Sequence, residues 1–109
     1  MKVSELVKTL SLDVISGERN LDREISGCYI GDLLSWVMSK AEQDNVWITI
    51  MSNINIVAVA ALADVSCILL SEGVTPEEDV IEKAKAQEIV ILRSRKTAYE
   101  LAKEISGVI

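Results

Sequence analysis

The chemistry this chain has to offer is concentrated in a few short stretches, of which the most charged is Arg93-Ser94-Arg95-Lys96. Cationic side chains beside a hydroxyl that caps a following helix suit a phosphate or carboxylate, because a helix N-terminus presents free N–H groups to an anion. The same cations serve equally well to neutralise neighbouring acids, Glu72 among them. In Met51-Ser52-Asn53-Ile54-Asn55, the amides of Asn53 and Asn55 either meet a ligand or cap the helix that follows. Ser71-Glu72-Gly73 forms a further polar turn, with Ser71 and Gly73 as its candidate ligand contacts. Trp36 lies off the main apolar stripe of its helix, where it either stacks on a partner or fills an interface.

The residues that are missing narrow the chemistry further. No histidine occurs among the 109 residues. This removes the commonest general base, the usual proton switch and the commonest transition-metal ligand. Neither a Ser-His nor a Cys-His pair can form. No glycine pair has the spacing of a Walker A loop or of GxGxxG, and there is no GxSxG elbow. Glu77, Glu78, Asp79 and Glu82 fall on a predicted solvent face. The expectation is a non-catalytic domain with no metal site and no cofactor.

The elements that must hold these stretches follow from periodicity. Val3, Leu6, Val7 and Leu10 predict a short opening helix with Ser4 as its cap. Leu12–Ile15 reads as extended and stops at Ser16-Gly17. Residues 18–24 read as polar loop and Ile25–Ile30 as a strand. Ile30, Leu33, Leu34, Val37, Met38 and Ala41 predict a helix carrying Asp32 in its first turn. Val46–Met51, Ser66–Leu70 and Ile89–Leu92 read as strands. Asn55–Asp64 is apolar around its whole circumference, so a helix there must be covered on more than one side, by the sheet and by a second copy of the chain. Thr75-Pro76-Glu77-Glu78 predicts a helix start with Thr75 as N-cap and Pro76 at the first position. A last helix runs from Thr97 to Ile105 and ends at Gly107.

Strands alternating with helices imply parallel pairing through right-handed crossovers. The predicted fold is a single three-layer α/β/α domain over residues 1–109 with a mainly parallel sheet. Ligands in such sheets gather at the carboxyl ends of the strands, which selects the loops after Ile50, Leu70 and Leu92. A chain of this length buries roughly 65% of its unfolded surface and needs no staples. With no phenylalanine, the core must come from Ile, Val, Leu and Ala. Cys28 and Cys67 read as reduced, buried thiols.

The formal net charge of −6 disfavours nucleic acid as a partner. No polybasic stretch offers a membrane anchor. The apolar run Ile54–Ala63 is shorter than the roughly 20 residues that span a bilayer. Charges interrupt the first residues too often for a signal peptide, so the cytoplasm is the expected compartment.

One stretch carries a family likeness. Asp22-Arg23-Glu24-Ile25-Ser26-Gly27-Cys28-Tyr29-Ile30-Gly31-Asp32-Leu33-Leu34 resembles the signature of the DRTGG domain family, with Ser26-Gly27-Cys28 standing where Thr-Gly-Gly is expected. Trp47-Ile48-Thr49-Ile50, Asn55 to Ala60, the Ser71-Glu72-Gly73 turn and the acidic helix after Pro76 fit in order. The resemblance implies a domain like the N-terminal domain of HPr kinase/phosphorylase and, more distantly, a substrate-binding domain of Mur ligases. It implies a regulatory role, beside enzymes such as phosphotransacetylases or nucleotide-sensing CBS domains, and a tendency to form homodimers. Kinase activity is not implied, since the P-loop domain is absent from these residues. The expected function is therefore a regulatory module that senses a small anionic ligand, such as a nucleotide or acyl phosphate, or docks on a partner enzyme. Arg93 and Ser94 would meet the anion, Asn53 and Asn55 would stand at the neighbouring strand end, and Asp22, Arg23 and Gly27 would shape the adjoining loop. The alternative is an interaction or dimerisation module with no small ligand.

Overall fold

The strands are built from the β-branched runs and the helices from the periodic ones, in a computed structural model that describes residues 1–109. The order is α1 (Val3–Leu10), β1 (Asp13–Ser16), a 3₁₀ turn (Glu18–Asn20), β2 (Gly27–Ile30), α2 (Leu34–Lys40) and β3 (Asn45–Thr49), then α3 (Asn55–Ala63), β4 (Cys67–Leu70), α4 (Glu78–Ala86), β5 (Ile91–Arg93) and α5 (Ala98–Ser106). The five strands form one sheet in the order β1-β5-β4-β3-β2. β2, β3, β4 and β5 are parallel neighbours, and β1 pairs antiparallel with β5.

Each of the three parallel crossovers steps in the same direction along the sheet, so right-handedness places α2, α3 and α4 on one face. They bury Val37, Ile56, Val57, Ala60, Val80 and Ala84 against Trp47, Ile68, Leu70 and Ile91. α1 and α5 cover the other face, where Val3, Leu6, Leu101 and Ile105 meet Val46, Ile48, Leu69 and Leu92. The result is the expected three-layer α/β/α arrangement. Its alternation is strict: Val46 and Ile48 point to one core, Trp47 to the other, as a strand covered on both faces requires.

Several boundaries differ from the sequence expectation, each for a tertiary reason. Ser4 does not cap α1; it lies inside the helix, its N–H donating to the Leu21 carbonyl at 2.7 Å. The cap position is Lys2, whose N–H donates to Glu5 Oε1 at 2.9 Å. α2 begins only at Leu34, because Asp32 is drawn away: its Oδ1 accepts from Thr49 Oγ1 at 2.7 Å and from Ile50 N at 3.0 Å. α4 begins at Glu78 and not at Thr75–Pro76, because the Thr75 hydroxyl accepts from Arg93 Nη1 at 2.6 Å. Thr97, not Ser94, caps α5, closing a capping box with Glu100. α3 occupies its expected span but is covered on one side only: Ile56, Val57, Val59 and Ala60 are buried, while Ala58 and Ala61 are exposed and Leu62 is 75% exposed.

The amino edge of the sheet is held by Arg23. Its Nε donates to Asp44 Oδ1 at 2.6 Å, and its Nη2 donates to Asp64 Oδ1 and the Asp64 carbonyl at 2.7 Å. Asp44 and Asp64 both sit at positive φ (67° and 55°), one before β3 and one closing α3. Burial pushes the guanidinium down, but the bonds to Asp44 and Asp64 outweigh it and hold Arg23 above its ordinary value. Arg23→Ala leaves both turns without their donor. With about a third of the side chain exposed, the expected loss is about 1–2 kcal/mol, read as a lower urea midpoint. Arg23→Lys should recover only part, since one ammonium cannot reach both carboxylates in the fork geometry. An unmoved midpoint would mark both pairs as energetically silent.

Candidate functional site

The carboxyl ends of the parallel strands carry the candidate site. The turn after β4 and the loop after β5 are tied together, Glu72 N–H donating to the Lys96 carbonyl at 2.9 Å and Gly73 N–H to the Ser94 carbonyl at 2.8 Å. Glu72 and Gly73 are both in the left-handed region (φ 60° and 71°). Gly73 is the natural occupant of its place, since its φ of 71° lies where L side chains are strained.

The basic cluster opens on a groove of about 490 Å³ lined by Thr9, Ser11, Asp13, Arg93, Ser94, Arg95, Lys96 and Glu104. Two of its three cations already have partners. Arg93 donates from Nε and Nη2 to Asp13 Oδ2 at 3.1 and 2.9 Å. Lys96 Nζ donates to Glu104 Oε1 at 2.6 Å. Arg95 is exposed and forms no ion pair, and Glu72, named in the sequence as a neutralising partner, pairs with none of the three. Ser94 Oγ accepts from Lys96 N–H at 3.1 Å, which shapes the loop without capping α5. That helix end is filled by the Glu100 carboxylate, which accepts from Thr97 N–H at 3.0 Å; this bond from the Thr97 backbone, with one from its hydroxyl, holds Glu100 below the usual carboxylate range.

The other predicted site residues are dispersed. Asn53 Oδ1 accepts from Asn55 N–H at 2.9 Å, so Asn53 serves the start of α3. Asn53 lines a separate groove with Glu77 and Asp79. Ser71 is buried beside Asp32 and Thr49 in a cavity of about 150 Å³. Asp22, Arg23 and Gly27 do not adjoin this edge. Gly27 is paired with Asn45 at the start of the strands, and Arg23 braces that opposite edge. Ser26, Gly27 and Asn45 form one clamp there, with Asn45 Nδ2 donating to Ser26 Oγ at 3.2 Å and Ser26 Oγ donating to the Gln43 carbonyl at 2.6 Å. The residue that sequence reasoning missed is Asp32. Its only signal was a lone acid before an apolar stripe, which reads as a helix-dipole feature.

The two cysteines share a face across β3 and form no disulfide. Cys67 is fully buried and burial pushes its thiol up to about 12. Cys28, expected to be buried, is instead exposed as a residue on edge strand β2, but desolvation on the sheet face still pushes its thiol up to about 11. A raised thiol pKa stabilises the fold fully below the unfolded value near 9 and loses that contribution as pH climbs through the folded value. Between pH 9 and 12 the unfolded chain has released the Cys67 proton and the folded chain has not. Stability should therefore fall by about 1.4 kcal/mol per pH unit more in the wild type than in Cys67→Ala. Parallel pH profiles of the two proteins would refute this. Alkylation of Cys28 at neutral pH should run roughly 100-fold slower than that of a free thiol.

Fold and site together define a three-layer α/β domain with a polar groove at the carboxyl edge of a mainly parallel sheet. The chain belongs to the DRTGG domain family, whose model matches residues 5–108. Among solved structures it is similar to the CBS and DRTGG domains of the regulatory region of Clostridium perfringens pyrophosphatase complexed with its activator, diadenosine tetraphosphate. That likeness has a TM-score of 0.71 at 17% identity, and covers 95% of this chain and 45% of that one. The chain thus spans less than half of that structure, and the likeness is one of fold. No curated protein matches the sequence. No helix is long and apolar enough to cross a membrane.

Proposed function

We propose that this domain is a non-catalytic regulatory module that senses a small anionic ligand in the groove beside Arg93, Ser94, Arg95 and Lys96, acting in the cytoplasm on a partner enzyme. The observation that carries the reading is Arg95, an unpaired cation on a groove of about 490 Å³ that two further cations line. Asp13 and Glu104 hold Arg93 and Lys96 in place, and a ligand phosphate bearing more charge competes for both. Membership in a family with a member in an enzyme's regulatory region, crystallised with a nucleotide activator, supports the role.

The test is a thermal-shift and calorimetric titration with inorganic phosphate, acetyl phosphate, ATP and diadenosine tetraphosphate. A ligand at 100 times its Kd should stabilise the protein by about 2.7 kcal/mol, and Arg95→Glu should abolish the shift. An unmoved melting point with all four would remove the anion branch.

A second reading, an interaction or homodimerisation module without a small ligand, is favoured by the apolar side chains left on the helices over β2–β4. Leu33 is 63%, Trp36 59% and Leu62 75% exposed, and α3 carries no charge from Asn55 to Ala63. Sedimentation at micromolar concentration should then show a dimer that Leu62→Glu returns to monomer.

A further inference from the structure

We propose that the cavity between the carboxyl ends of β2–β4 and the first turn of α5 binds a compact organic cation, an ammonium group on a short aliphatic body. This site is distinct from the basic groove and does not depend on the anion reading.

The cavity exists because β2 is an edge strand. Ile30 and Ile48 face the α1/α5 side, but α5 reaches this corner only with Ala98. About 150 Å³ remains between Ile30, Ile48, Ile50 and Ala98. These walls are apolar, while the polar groups at the rim are all acids and hydroxyls. Asp32 Oδ1 is fixed by Thr49 and Ile50, and its Oδ2 has no protein donor. Glu72 stands at the turn with its carboxylate in no ion pair, and no cationic side chain lines the cavity.

Ser71 is the independent observation. It is 3% exposed. The alternation along β4 sends Cys67 and Leu69 into the α1/α5 core, and Ser71 continues on that face into the cavity. Its hydroxyl makes no hydrogen bond within the protein and is left open to the cavity, where a bound donor can reach it. An oxygen acceptor at the bottom, two carboxylates at the mouth and aliphatic walls match an N–H donor that carries positive charge and a few methylenes. Low-dielectric walls concentrate the negative potential of the two acids. The volume equals about five waters at roughly 30 Å³ each, which admits a chain of a few carbons.

The test uses the whole chain and butylammonium as probe, followed by ¹⁵N–¹H correlation spectra, with 1-butanol as the neutral isostere at matched ionic strength. Butylammonium should shift the amides of Gly31, Asp32, Ile50, Ser71 and Glu72 with a Kd of roughly 1 mM, at least tenfold tighter than butanol. Asp32→Asn keeps the acceptor that Thr49 and Ile50 use, so it should preserve the fold and weaken binding tenfold or more. Ser71→Val removes the hydroxyl acceptor and narrows the cavity by a methyl group, and should abolish the shifts, while Arg95→Glu, in the basic groove, should leave them unchanged. Equal binding of butanol, shifts scattered over all surface acids, or shifts that survive in Ser71→Val would overturn the proposal.

Discussion

Gly17→Ala is expected to destabilise the domain by about 3 kcal/mol or more, although it adds one methyl group at a turn. Gly17 has φ +85°, and a Cβ built there would lie 2.6 Å from Val90 Cα, 2.7 Å from Val90 Cγ2 and 2.9 Å from the Ile89 carbonyl oxygen. The left-handed conformation costs an L-residue about 1–2 kcal/mol, and forcing a group into occupied space costs typically 1–3 kcal/mol more. The clash is with main chain, so no side-chain rotation relieves it. The turn matters because it ends β1 where that strand lies antiparallel to β5, packed on the backbone leading into β5, and beside it Ser16 Oγ donates to the Ile89 carbonyl at 2.9 Å. Urea denaturation measures the effect against Gly107→Ala, where φ is −82° and the nearest atom is 3.5 Å away. Two variants of equal stability would show that the close approach to Val90 is not real.

Trp47→Ala should cost about 3–5 kcal/mol, the range for truncating a large core side chain. Trp47 is fully buried at the centre of β3, packed in the layer of α2, α3 and α4. Its indole also donates from Nε1 to the Gly31 carbonyl at 2.9 Å, fastening the turn that carries Asp32. Trp47→Phe separates the two roles. It keeps much of the packing but strands the Gly31 carbonyl, for about 1–3 kcal/mol from the lost bond alone. It should also loosen the Gly31–Asp32 turn, seen as faster amide exchange at Ile50, whose N–H donates to Asp32 at 3.0 Å. Unchanged exchange at Ile50 in Trp47→Phe would show that the indole bond does not position the turn.

The order of elements was legible because it rests on local pattern. Val3-Leu6-Leu10 and Leu101-Ile105 repeat at helical spacing and are buried on one stripe; Val46 to Thr49 and Cys67 to Leu70 are continuous runs and are buried on both faces. From alternation the parallel sheet follows, and from crossover handedness the layer in which α2, α3 and α4 lie. The antiparallel β1 was not legible. Four residues ending at a Ser-Gly turn carry no mark of the strand they join, and β1 is placed by pairing with β5, more than seventy positions away, as in Asp13 with Arg93.

The candidate site was legible only in part. The loops after β4 and β5 meet, as strand polarity requires, and Arg93, Arg95 and Lys96 do line one groove. The assignment of caps was wrong at Ser4, Thr75 and Ser94, because a hydroxyl beside a helix start is bid for by every donor and acceptor in reach. Thr75 went to Arg93, and Ser94 to its own loop. The stretch carrying the family signature, Asp22 to Gly27, was expected beside the ligand loops. Instead Arg23 and Gly27 build the opposite edge, where Arg23 joins Asp44 to Asp64.

By itself the sequence determined the kind of element at each stretch, the three layers, the lack of an imidazole and the acidic balance, since these depend on composition and on neighbours within about one helical turn. Tertiary structure alone decided which cation is paired, which hydroxyl is left without a partner and which carboxylate faces a cavity. The reason is geometric: a charged or hydroxyl group is bound within about 3 Å by whatever the fold carries to it, and Arg93 met Asp13 across 80 positions of chain.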